Sequence, residues 1–150
     1  MPITIRPARP EEVRPAFDLV LRVFMIYTAP LLEAKNVAYF QFTCVDEARL
    51  EKYISKQWRM IVALDGDALI GVTCERDDLH ITTLYVDPSY HRQGVATALL
   101  NALITAMAVP CVTLNSSPYA LPFYVKYGFV PTGKEHPSVK ILTPMEYSLQ

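Results

Sequence analysis

The stretch LYVDPSYHRQGVATALL, residues 84–100, passes from a β-branched and aromatic strand through a short polar turn into an apolar helix. Asp87, Pro88 and Ser89 end the strand, and Gly94 stands where the helix begins. The first turn of a helix presents unpaired N–H groups and about half a positive charge, and glycine lets an anion approach closely. The stretch therefore predicts either an anion site for a group such as phosphate or a tight strand-to-helix connection without a ligand.

Length and composition favour one globular domain covering residues 1–150. Hydrophobic residues make up 51% of the 150-residue chain. A domain of this size buries about 70% of its unfolded surface and needs no disulfide or metal to fold. Cys44, Cys74 and Cys111 are odd in number and lack the paired spacing of a zinc site or thiol redox motif. We therefore expect no bound metal.

The charge balance favours a small-molecule ligand. The chain carries 14 basic and 15 acidic residues and a net charge of −1. This balance argues against nucleic acid or an anionic membrane as a partner. The N-terminal segment MPITIRPARP lacks the apolar core of a secretion signal, and no apolar run reaches about 18 residues. We therefore expect a cytoplasmic location.

The remaining elements predict an α/β domain built on a mixed sheet. Apolar residues recur at helical spacing after Pro10, and Asp65, Gly66 and Asp67 mark a hairpin between two apolar strands. The aromatic stretch 31–45 is predicted to be irregular. The helix that starts after Gly94 implies a parallel crossover between its two flanking strands. Predicted strands cover 3–5, 60–64, 68–75, 79–86, 111–115, 129–130 and 141–149, and predicted helices cover 10–24, 46–57, 95–107 and 119–127.

Two segments resemble the GNAT superfamily of acyl-CoA-dependent N-acyltransferases. HRQGVA, residues 91–96, is similar to the family signature of Gln or Arg, two residues, Gly, one residue, then Gly or Ala. His91 stands where the family usually has Gln or Arg. ALPFYVKYGF, residues 120–129, is similar to the family segment AxxFYxKxGF. The resemblance extends to the order of elements along the whole chain.

This resemblance implies a mixed, mostly antiparallel sheet flanked by helices, with a splayed parallel pair of strands around a site for acetyl-CoA as cosubstrate. Backbone groups of the strand would pair with the pantetheine arm as if it were another strand. Residues at the helix start would line the pyrophosphate. No Lys or Arg occurs in 95–109 to hold the ribose phosphate. The implied donor-binding residues are Leu84, Tyr85, Val86, Arg92, Gln93, Gly94, Val95, Ala96, Thr97, Ser117 and Tyr124.

Acetyl transfer to an amine needs an oxyanion donor and a proton for the departing thiolate. The resemblance makes Tyr124 the candidate general acid, since a phenol with a pKa of about 10 stays protonated at neutral pH. The plain alternative is a tyrosine packed on a helix face. A strand N–H near Leu84 or Tyr85 is expected to bind the oxyanion.

Two residues are candidates for the base that takes the amine proton. His80 matches a strand histidine in the serotonin N-acetyltransferase branch of the family, and imidazole titrates in a suitable range. Strict strand alternation predicts that its side chain shares a face with Thr82, Leu84 and Val86. Glu75, at the end of the preceding strand, is the alternative base.

The expected activity is direct transfer, in a ternary complex, to a primary amine of a small molecule or peptide. Segments 27–44 and 133–138 are expected to form the acceptor pocket, because loops on a fixed scaffold usually set specificity. The alternative from another class is a catalytically silent acyl-CoA sensor or interaction module. A mononucleotide-binding domain is disfavoured, since neither GxGxxG nor GxxxxGK[ST] occurs. The resemblance also makes a homodimer possible.

Overall fold

In the part of the chain that the structure describes, seven strands form one mixed sheet in the order β1-β2-β3-β4-β5-β7-β6. The computed structural model of the protein describes residues 2–77 and 79–149. All described neighbouring strands are antiparallel except β4 and β5, which run parallel. The strands are Ile3–Pro7 (β1), Met60–Asp65 (β2), Ala68–Arg76 (β3), His80–Val86 (β4), Cys111–Ser116 (β5), Val130–Pro131 (β6) and Thr143–Ser148 (β7).

Helices cover both faces of the sheet and divide the core into two clusters. One cluster packs the sheet against α4 and α5, and the other packs it against α1 and α3. Within the described ranges, no helix combines the length and apolar character needed to cross a membrane. The α-helices are Val13–Tyr27 (α1), Ala34–Thr43 (α2), Glu47–Ile54 (α3), Val95–Met107 (α4) and Leu121–Tyr127 (α5).

The predicted α/β fold with a parallel strand pair is confirmed. The helix after Gly94 has the predicted bounds, and β2 and β3 form the predicted hairpin. The prediction of an irregular segment over 31–45 is wrong, because α2 occupies most of it. None of the α2 residues is fully buried, so their sequence lacks the apolar stripe that reveals other helices. The helix is held on the surface by contacts such as Phe40 stacked on Phe24 at 3.9 Å between ring centroids.

The parallel strands β4 and β5 pair over a short distance and then part. Their register contains only the pairs His80 with Thr113 and Ile81 with Leu114. On their outer sides, β4 pairs with β3 and β5 pairs with β7 along nearly their whole lengths. A gap therefore opens between the carboxyl-terminal parts of β4 and β5.

A β-bulge in β4 changes which face each side chain occupies. Opposite β3, Cys74 pairs with Thr83 but Glu75 pairs with Ile81, so Thr82 is the extra residue. Ile81, Leu84 and Val86 consequently all pack on the α4 side of the sheet. The prediction that His80 shares a face with Leu84 and Val86 is wrong. His80, next to Ile81, lies on the opposite face, because the bulge interrupts the two-residue alternation.

Gly71 lets α4 lie directly on β3. A Cβ atom at Gly71 would be 2.9 Å from Leu99 Cδ1 and 3.4 Å from Val95 Cγ1. Val95 and Leu99 belong to the first two turns of α4 and are buried. This close approach fixes the start of α4 beside the end of β4.

Replacing Gly71 with valine tests this packing. We expect Gly71→Val to lower the free energy of unfolding by about 1–3 kcal/mol, because the added methyl groups overlap a filled core. Ala68→Val, at the exposed start of the same strand, serves as the control and should change stability by less than about 0.5 kcal/mol. Urea unfolding followed by Trp58 fluorescence measures both. Equal stability of the two variants would contradict the close packing.

Candidate active site

A cleft of about 960 Å³ lies where β4 and β5 part. Its walls come from β4, the first turn of α4, the end of α1, α2, α5 and the segment between β6 and β7. Predicted site residues His80, Leu84, Tyr85, Val86, Arg92, Gly94, Val95, Ala96, Thr97, Ser117 and Tyr124 all line this one cleft.

The start of α4 presents backbone donors to the cleft. Gly94 is the N-cap and adopts a left-handed conformation with φ of 79°. The first helical bond runs from the Ala98 N–H to the Gly94 carbonyl at 3.0 Å. The N–H groups of the intervening residues 95–97 therefore have no carbonyl partner within the helix. Together with the exposed Arg92 side chain, they form a site suited to a phosphate or pyrophosphate.

Peptide groups of β4 point into the gap in an alternating pattern. The Asp87 N–H donates to the Ile70 carbonyl at 2.8 Å, on the β3 side. Alternation therefore turns the peptide groups of Tyr85 toward β3 and those of Leu84 and Val86 toward the gap. An oxyanion donor is expected near Leu84 or Tyr85, and of these two residues Leu84 is the one whose N–H points into the gap.

His91, which stands where the family signature usually has Gln or Arg, is bonded to the end of β4. Its Nε2–H donates to the Val86 carbonyl at 2.9 Å. This bond ties the loop before α4 to the end of β4. The residue types alone do not predict it, because it depends on how the loop folds back on the strand. Gln93 does not line the cleft, and its side-chain amide donates to the Ser89 carbonyl at 3.4 Å.

Tyr124 lies on α5 and is buried in a cluster of aromatic rings. Its ring meets those of Phe123 and Phe129 edge to face, with centroid distances of 5.4 and 5.5 Å. Burial raises the pKa of Tyr124 well above its usual value. Burial raises the pKa of Tyr85 as well, with the nearby Tyr124 adding to the shift. Both phenols are therefore protonated at neutral pH.

His80 lies on the cleft wall and is held by β5. Its Nδ1 is 2.8 Å from Thr113 Oγ1. Burial, together with smaller contributions from the nearby Arg76 and His136, lowers the pKa of His80 to about 4. The imidazole is therefore neutral at pH 7. Neutrality is what a proton acceptor requires, although the low pKa makes this a weak base.

Glu75 is not brought together with His80 and Tyr124. Its side chain is fully buried and lies outside the cleft wall. One carboxylate oxygen accepts the Arg59 N–H at 2.7 Å, and the Arg59 guanidinium lies 3.6 Å away. These bonds connect β3 with the segment that enters β2. Glu75 therefore holds these two segments together.

Ser117 lines the cleft and also makes a local hydrogen bond. Its Oγ accepts the Ala120 N–H at 3.2 Å, just before α5 begins. The hydroxyl therefore shapes the turn between β5 and α5.

Both segments expected to form the acceptor pocket reach the cleft. Tyr39 and Phe40 line it from α2, and His136 and Val139 line it from the β6–β7 segment. His136 Nδ1 accepts the N–H groups of Ser138 and Val139 at 3.1 and 2.9 Å, so a neutral His136 carries its proton on Nε2. Phe42 is exposed and does not line the cleft.

The chain matches a known sequence family over most of its length. A model of the family described as "Acetyltransferase (GNAT) domain" matches residues 28–149. The chain belongs to the GNAT acetyltransferase family. The matched range contains the β4–α4 unit and α5, so the family match and the cleft rest on the same elements.

A curated relative of this GNAT protein agrees with that assignment. It is 33% identical over 85 residues to the uncharacterized N-acetyltransferase YafP of Escherichia coli K12. That alignment covers 57% of this chain and 54% of YafP, so the chain matches about half the length of this relative.

Solved structures agree with the fold of this GNAT protein. A GCN5-related N-acetyltransferase from Rhodopseudomonas palustris superposes with a TM-score of 0.82 at 23% identity, covering 99% of this chain and 97% of that one. The PaiA N-acetyltransferase from Thermoplasma acidophilum, solved with coenzyme A, gives a TM-score of 0.82 at 17% identity and covers 99% of both chains. At these identities, the two likenesses establish the fold.

The lowered pKa of His80 predicts a loss of stability in acid. The unfolded state, with a histidine pKa near about 6.5, binds the proton more tightly than the folded state. The stabilisation that comes from the lowered pKa of His80 is complete above about pH 6.5 and declines as the pH falls toward 4. Between about pH 7.5 and pH 4.5, the native protein should lose about 1–2 kcal/mol more than His80→Gln, after allowance for partial solvent screening. Urea unfolding at both pH values measures the difference, and equal losses would contradict the shift.

Proposed function

We propose that this GNAT protein is an N-acetyltransferase that moves the acetyl group of acetyl-CoA to a primary amine of a small molecule or peptide. The observation that supports it most is the meeting of three features in one cleft. These are the unpaired N–H groups at the start of α4, the peptide groups of β4 at the gap, and the buried hydroxyl-bearing ring of Tyr124.

The donor fits the cleft through backbone groups. We infer that the pyrophosphate binds the N–H groups of residues 95–97, with the Arg92 guanidinium as an additional donor. The pantetheine arm would lie in the gap and bond the Leu84 carbonyl and the Val86 N–H. The Val86 carbonyl is already bonded to His91. The coenzyme A complex of PaiA supports this ligand class for the fold.

Chemistry at the thioester would proceed by direct attack. The amine nitrogen forms a bond to the acetyl carbon, and the carbonyl oxygen gains negative charge. The Leu84 N–H would bind that oxyanion, and such a preorganised donor is typically worth about 3 kcal/mol in the barrier. The carbon–sulfur bond then breaks and releases CoA. No covalent intermediate with the protein is required.

Two side chains would move the protons. Tyr124 would donate its hydroxyl proton to the departing sulfur and regain a proton from water before the next turnover. His80 would accept the amine proton and pass it quickly to water, since its lowered pKa gives it little hold on a proton. A neutral His80 is available for this step throughout the neutral pH range.

A silent acyl-CoA sensor on the same fold is the second candidate. The weak basicity of His80 and the position of Glu75 outside the cleft favour it. Such a protein would bind CoA without releasing it from acetyl-CoA in the presence of amines. A turnover assay therefore separates the two functions.

Replacing the Tyr124 hydroxyl tests the proposed acid. We expect Tyr124→Phe to lower kcat by about 100-fold or more, because general acid catalysis usually contributes at least that much. CoA affinity should remain within about threefold, since the ring and its packing are kept. Free thiol release with a panel of primary amines gives kcat, and calorimetry gives the affinity.

Tyr127→Phe is the matched control for this experiment. Tyr127 lies on the same helix, but its hydroxyl donates to Asn101 Oδ1 at 2.6 Å and stays outside the cleft. The control should retain native kcat. Full turnover by Tyr124→Phe would refute the acid role. Binding of CoA by the native protein without turnover of any amine would favour the sensor.

A further inference from the structure

Three rings that line the cleft lie in contact with one another in a row. Tyr27 ends α1, Tyr119 lies between β5 and α5, and His91 belongs to the loop before α4. Tyr27 stacks on Tyr119 with ring centroids 4.6 Å apart and an interplanar angle of 24°. Tyr27 also contacts the His91 ring, with ring centroids 5.5 Å apart. We call these residues the ring bridge.

The ring bridge joins the two strands that part at the site. At one end, His91 is bonded to the carbonyl of Val86, the last residue of β4. At the other end, Tyr119 lies three residues after Ser116, the last residue of β5. All three rings line the same cleft as Gly94 and Tyr124. The bridge therefore connects the two sides of the cleft that the donor arm would enter in the proposed function.

Core packing does not account for the whole bridge. Tyr27 packs partly against the α1 core cluster, but Tyr119 is 52% exposed and belongs to neither cluster. An aromatic ring at such a position gains little from burial alone. Its stacking partner instead fixes the otherwise exposed segment between β5 and α5.

We propose that Tyr27, Tyr119 and His91 are positioning residues that hold the two sides of the donor cleft at a fixed separation before the donor binds. This inference rests on the proposed acetyl-CoA site. Loops that are already ordered lose less conformational entropy on binding, so the bridge raises affinity through preorganisation. The rings take no part in proton transfer.

Removing one ring should weaken donor binding without slowing the chemistry. We expect Tyr119→Ala to raise the Kd for CoA by about two- to tenfold, the range that corresponds to one lost aromatic pair. Tyr119→Phe keeps the stack and should bind like the native protein. With an accepted amine, the donor KM should rise while kcat at saturating donor stays unchanged.

A double-mutant cycle isolates the contact between the two tyrosines. Tyr27→Ala and Tyr119→Ala should each weaken CoA binding, and the double variant should be no more than about twofold weaker than the worse single variant. The control is Phe42→Ala, which removes an aromatic ring of 53% exposure outside the cleft wall and should leave the Kd unchanged. Thermal unfolding of each variant confirms that folded protein is compared.

Calorimetry with CoA decides the proposal. A higher Kd for both alanine variants, with native values for Tyr119→Phe and Phe42→Ala, supports the bridge. Unchanged Kd values in folded alanine variants overturn it, and so does an equal loss in Phe42→Ala. Failure of the native protein to bind CoA overturns the proposed function and this inference together. Native binding with unaffected alanine variants overturns the bridge alone.

Discussion

The peptide groups of β4 must find partners where β5 no longer supplies them. β4 pairs with β5 only at His80 and Ile81, while each strand is held by its other neighbour along nearly its whole length. The bulge at Thr82 bends and twists β4 at the point where the two strands part. Buried backbone donors and acceptors without partners are costly. The gap therefore favours an occupant that offers hydrogen bonds like those of another strand.

The position of α4 depends on the same strand. Because Gly71 has no side chain, the first turns of α4 rest on β3, next to the end of β4. The left-handed Gly94 then turns the chain so that the helix starts at the gap. The His91 bond to Val86 fixes the intervening loop. The Gly71 contact holds the end of β4 beside the start of α4. The backbone N–H groups of these two elements suit a ligand that is both strand-like and anionic.

The buried parts of the fold could be predicted from sequence, because burial leaves a periodic apolar pattern. The α4 bounds and the β2–β3 hairpin follow from such patterns and from Gly66 and Gly94. The surface helix α2 leaves no pattern, because none of its residues is fully buried. The signature segment locates the proposed anion site because backbone geometry, more than side chains, builds it.

Other features depend on contacts between distant segments and could not be predicted. A bulge has no unique sequence mark, so strict alternation assigns His80 to the wrong face. Glu75 looks available at a strand end, but the Arg59 backbone binds it inside the protein. His91 differs from the family signature, and its bond to Val86 requires the folded loop. In each case, the missing information is the partner from another part of the chain.

Amide hydrogen exchange with and without CoA tests the central claim that the parted strands and the start of α4 form the donor site. We expect slower exchange at Val86 and residues 95–97 when CoA is added, because those N–H groups gain partners. Amides in α3, on the far side of the sheet, should exchange at unchanged rates. Unchanged exchange at the β4 end and the α4 start, with protection elsewhere, would contradict the account.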